Sequence, residues 1–71
     1  MKTKRKLSRY ALARRLRDLA LQISAGKPVR VGSRSIQVPN HVVVEEELEI
    51  SPGEVDLEFE VHWPSRAIKR N

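Results

Sequence analysis

From Val55 to Trp63 the chain alternates without a fault. Val55, Leu57, Phe59, Val61 and Trp63 are apolar, and Asp56, Glu58, Glu60 and His62 stand between them. A period of two places one set on each side of a pleated strand, so this stretch predicts a strand with one dry face and one wet face. The run from Val42 to Ile50 reads the same way on the other side of Ser51-Pro52-Gly53-Glu54. Pro52 pre-sets φ at the first turn position and Gly53 admits positive φ at the second, which predicts a hairpin. Symmetric pairing across that turn sets Ile50 against Val55, Leu48 against Leu57, Val44 against Val61 and Val42 against Trp63. It also sets Glu46 against Phe59, the one inward position that is not apolar, and His62 against Val43.

The opposite side of this hairpin collects Glu45, Glu47 and Glu49 beside Asp56, Glu58 and Glu60. Like charges across a strand pair are destabilising. The acids are therefore solvated, or neutralised by Arg30, by the basic N-terminus or by another molecule.

Charge is divided along the chain. Eleven lysines and arginines face one acid between positions 1 and 35, whereas positions 36 to 65 hold eight acids and no lysine or arginine. The net charge is +5. Such segregation in so small a chain calls for an explanation: charges kept for solubility, a basic part that answers the chain's own acidic face, or a charged partner.

With 71 residues the chain predicts a single domain near the lower size limit for independent folding. Small domains often add a disulfide, a metal or a partner subunit. No cysteine is present, which removes the first and fits a reducing cytosol. No apolar run approaches the roughly 20 residues of a membrane span, and the basic start leads into an arginine-containing helix, not an apolar signal core. The expectation is a soluble cytoplasmic protein with no membrane role.

Taken in order, residues 1–6 form a flexible basic arm. Ser8 can cap a helix, with Leu7 and Leu12 at the positions of a hydrophobic staple. The helix is predicted from about Arg9 to Ala25, with Gly26 left-handed at its end and Pro28 beyond. Its apolar stripe is Leu12, Leu16, Leu19, Ala20 and Ile23, the spacing of a helix lying on a flat surface. Asp18 is in reach of Arg14 and Arg15, so most of the helical charge stays unneutralised. Val29 to Val38 predicts a short hairpin. With Gly32-Ser33-Arg34-Ser35 as the loop, Val31 faces Ile36 and Val29 faces Val38; a turn at Gly32-Ser33 would instead set Arg34 against Val31. Pro39-Asn40 turns the chain into the next strand, Pro64 ends the last one, and residues 65–71 are expected to form a loose basic tail.

A capped amphipathic helix, Gly26-Lys27-Pro28-Val29, Val38-Pro39-Asn40 and the alternating run ending Leu57-Glu58-Phe59-Glu60-Val61-His62-Trp63 together resemble the amphi-Trp domain family, a group of small prokaryotic proteins. The resemblance spans Leu7 to Trp63, with Trp63 as the family's tryptophan. It departs from the family at Arg9 and Tyr10, where acidic residues usually open the helix, and in the basic arm. The resemblance implies a fold and no activity that can be carried over.

The candidate chemistry is sparse. The carboxylates alternate on an open face with no nucleophile beside them and no desolvation to separate their acidities, so no catalytic residue is assigned. His41 and His62 are the only imidazoles, and without cysteine no metal ligand set or cofactor is assigned. Lys2, Lys4, Arg5, Lys6, Arg9, Arg14, Arg15 and Arg17 could contact phosphates, with Tyr10 as a stacking ring among them. Tyr10 packing at the helix entrance is the plainer alternative. A single basic amphipathic helix is not a groove-reading motif, and the acids behind it would repel nucleic acid.

The architecture expected is α+β: one N-terminal amphipathic helix packed on a four-stranded antiparallel meander sheet, a single domain over residues 7–64. Its core would be Leu12, Leu16, Leu19, Ile23, Leu48, Leu57, Phe59, Val61 and Trp63. The function expected is a non-catalytic interaction or assembly module, a homo-oligomer or the partner of another protein. A nucleic-acid-binding accessory protein is the second reading.

Overall fold

Ser8 opens the helix as its N-cap. It is extended (φ −68°, ψ 161°), its Oγ accepts a hydrogen bond from the Ala11 N–H at 3.1 Å, and its carbonyl accepts from the Leu12 N–H at 2.9 Å. The computed structural model describes residues 2–65, and the helix α1 runs over Arg9–Ser24. Gly26 ends it at φ +72°, a conformation open to glycine at no steric cost. The Lys27 N–H then reaches the Gln22 carbonyl and the Gly26 N–H the Ile23 carbonyl, so two otherwise orphaned carbonyls are satisfied.

Four strands follow: β1 (Val29–Val31), β2 (Arg34–Ile36), β3 (Val43–Ser51) and β4 (Glu54–His62). They form two separate two-stranded antiparallel sheets, β1-β2 and β3-β4, so the fold is α+β without the four-stranded meander expected from sequence. The reason lies between Ile36 and Val43. β2 is three residues long, and Pro39 beyond it lacks an N–H and holds φ near −65°, so that segment carries no strand. The chain divides into two compact units between Val38 and Pro39. Residues 2–8 carry no helix or strand, and the loose tail expected over 65–71 lies, from position 66 onward, outside the described residues.

In the first unit the hairpin register differs from the expected one. Val29 pairs with Ile36, Arg30 with Ser35 and Val31 with Arg34, around a two-residue loop at Gly32-Ser33. Gly32 takes φ +61° and Ser33 does not go positive, the pattern of a tight turn with glycine in its first central position. Such turns match the strand twist, and here that local preference outweighs the longer loop's pairing of Val31 with Ile36. α1 contacts β1, and the Arg15 guanidinium donates to the Arg30 carbonyl at 2.7 Å. Gln37 Nε2 donates to the Gly26 carbonyl at 2.8 Å, tying the strand exit to the helix end. Val29, 7% exposed, is the one buried apolar residue among those described.

In the second unit every pair from Val43↔His62 to Ser51↔Glu54 lies in the register set by the turn. Gly53, at φ +84°, supplies the positive φ that Pro52 at the preceding position invites. Val44, Leu48, Ile50, Val55, Leu57, Phe59 and Val61 share one face with Glu46, and the acids share the other. Val42 and Trp63 stand just beyond the ladder.

The expected core is not buried in the single chain. Leu12, Leu16, Ile23, Leu48, Leu57, Phe59 and Val61 are all exposed, and Leu19 and Trp63 are half-buried. Alternation decides which side of a strand is apolar but not what lies against it, and the missing four-stranded sheet removes the surface expected to do so.

Candidate functional site

Two apolar surfaces and two charged ones are left to the solvent. The largest apolar one is the β3-β4 face, where Leu57 is 79% exposed and Phe59 66%. Covering a side chain of this size contributes roughly 1.5–3 kcal/mol. Seven of them, between 39% and 79% exposed, leave on the order of 10 kcal/mol of driving force unused, comparable to the whole stability of a small domain. The stripe on α1 is the second apolar surface: Leu12, Leu16 and Ile23 are exposed along it.

On the wet side of the hairpin, acid faces acid on three rungs: Glu45 with Glu60, Glu47 with Glu58 and Glu49 with Asp56. Directly opposed like charges repel. His62 Nε2 lies 2.9 Å from Glu45 Oε2, which relieves one end of the ladder, and both side chains are open to water. Surface pairs of this kind add little to stability. Replacing Glu47 with glutamine removes the middle repulsion, so the hairpin should gain about 0.2–1 kcal/mol. A thermal melt at low salt checks this, and the gain should shrink as salt is added.

The basic residues singled out in the sequence fall into separate places. Lys2, Lys6, Arg9, Arg14 and Arg17 are exposed. Arg9 lies over the Tyr10 ring, 5.2 Å from its centroid, and donates to the Tyr10 hydroxyl at 3.2 Å. Tyr10 is 73% exposed, so it does not pack at the helix entrance as the plainer reading has it. Arg15 is half-buried and helps fasten the helix to β1. Lys4 and Arg5 line an open cleft together with Arg15 and Arg30. Sequence reasoning did not place Arg30 in this group, because nothing in the local pattern shows that it stands beside a residue fifteen positions earlier.

His41, Val42, Val43, His62, Trp63 and Pro64 line a hollow of about 160 Å³ at the open end of the β3-β4 hairpin. It brings together the two histidines and the tryptophan, which sequence parity left apart. Among the described residues no group of three or more histidines, cysteines or acids is placed to hold a metal ion, and no helix is long and apolar enough to cross a membrane.

Comparison with curated proteins and with solved structures returns no match. The family comparison does: the model of the Amphi-Trp domain matches residues 1–71, a wider span than the Leu7-to-Trp63 resemblance and one that takes in the basic arm. With its capped helix, alternating acidic hairpin and Trp63 all inside that match, the chain belongs to the Amphi-Trp domain family.

Proposed function

We propose that this chain is a non-catalytic interaction module that self-associates, a second copy covering the apolar surfaces that one copy leaves open. The observation that carries this reading is the contrast between the one buried apolar residue among those described, Val29, and the largely exposed apolar face of β3-β4. Contiguous apolar surface of several hundred Å² marks an interaction site in most soluble proteins. A two-stranded hairpin is also marginal in water until something packs on it. A second copy fits because it brings a matching apolar face, and basic residues for the acidic ladder. The carboxylates favour no enzymatic reading, since they sit in solvent along an open strand face.

Sedimentation equilibrium across the micromolar range tests the reading. The expected result is a mass that is a multiple of 8.2 kDa and rises with concentration. A stable 8.2 kDa species at several hundred micromolar, in both low and moderate salt, would remove it.

Nucleic-acid binding is the second reading, and exposed Tyr10 beneath Arg9 favours it, because a ring flanked by cations suits base stacking with phosphate contact. An electrophoretic shift assay at low salt decides it: absence of any shift with single-stranded DNA or RNA ends the idea.

A further inference from the structure

Thr3, Lys4 and Arg5 of the N-terminal arm, Arg15 of α1, and Arg30, Val31 and Gly32 at the first hairpin enclose an open cleft of about 640 Å³. Four of these side chains are cations and none is an acid. Among the described residues none of the four lies in an ion pair with a carboxylate. Arg15 has one N–H committed to the Arg30 carbonyl and Arg30 Nε makes a long contact of 3.5 Å to the Gly32 carbonyl, so most of their donors remain available. Four positive charges gathered around one space repel one another unless an anion sits among them. Three of the four are guanidinium groups, whose planar forks match phosphate oxygens in pairs. The cleft is in the range of roughly 300–1,000 Å³ found for small-molecule sites, larger than a single inorganic anion requires.

We infer that this cleft binds a multiply charged phosphate anion, with Lys4, Arg5, Arg15 and Arg30 as its ligands. The shared chemistry is a run of phosphoryl groups, as in a free polyphosphate or the backbone of a nucleic acid. The site does not depend on the self-association proposed above, because none of its residues belongs to the apolar β3-β4 face.

The test is a calorimetric titration of the full chain at low salt with sodium tripolyphosphate and, separately, with a short single-stranded RNA oligonucleotide. Arg30→Gln and the double variant Lys4→Gln/Arg5→Gln are run in parallel. Each is expected to weaken binding about tenfold or more, as the loss of a charge-assisted hydrogen bond does, and to flatten its salt dependence. Tripolyphosphate binding lost in both variants supports the site and identifies a free anion as sufficient. Binding of the oligonucleotide alone, lost in the same variants, supports it with a nucleic-acid backbone as the source. Failure of both ligands to bind the unaltered chain, or binding that both variants leave unchanged, overturns it. So does a fall in assembled mass in the variants without any phosphate binding, which would assign the cleft to the carboxylates of a second copy. Lys4 and Arg5 lie in a segment with no helix or strand, so the double variant reads binding even if Arg30→Gln disturbs the first hairpin.

Discussion

Leu57→Asp should abolish self-association while leaving α1 folded. Leu57 is the most exposed of the large apolar residues, so the substitution removes little that one copy uses for itself. If a second copy covers it, each buried leucine contributes roughly 1.5–3 kcal/mol. A symmetric pair loses that twice, and a buried unpaired carboxylate adds to the penalty. The dissociation constant should therefore rise at least a hundredfold, since each 1.4 kcal/mol is about tenfold. Sedimentation would show the multiple mass collapse to 8.2 kDa, with the far-UV circular dichroism of the helix retained. Unchanged mass would mean that the β3-β4 face is not where copies meet.

Val29→Ala should cost about 1.5–3 kcal/mol, combining lost methyl burial with the cavity left behind. That is a large share of what a unit with one buried apolar side chain can possess. Val29 begins β1 where that strand meets α1, and its loss should release the Val29–Ile36 hairpin from the helix. Hydrogen exchange at the amide of Ile36, which bonds to the Val29 carbonyl in the ladder, reports this directly. Val31→Ala is the control: Val31 is exposed on the same strand, and surface substitutions usually stay within about 0.5 kcal/mol. Equal effects of the two substitutions would mean that Val29 is not the anchor.

What the sequence made legible is what local chemistry decides. Ser8 and Gly26 bound the helix because capping involves only neighbouring residues. The β3-β4 register follows rung by rung from Pro52 and Gly53, because a two-residue turn leaves no freedom to slip. The first hairpin was misread by giving apolar pairing more weight than the tight turn that Gly32 allows. The four-stranded sheet fails for a different reason: Pro39 marks a break locally, but whether β2 and β3 pair across it is not a local matter. The candidate sites divide in the same way. Tyr10 beside Arg9 could be read off adjacent positions, whereas the gathering of Lys4, Arg5, Arg15 and Arg30 arises only once α1 folds back on β1.

The three acid-on-acid rungs also bear on how far assembly can go. A hairpin with two greasy sides could stack layer upon layer into a fibril, as cross-β segments do. Here any third layer would press carboxylate against carboxylate with the water squeezed out. If copies meet through the apolar face, face-to-face layering of β3-β4 would stop at a pair, and the repulsion that weakens one hairpin would also disfavour every further layer.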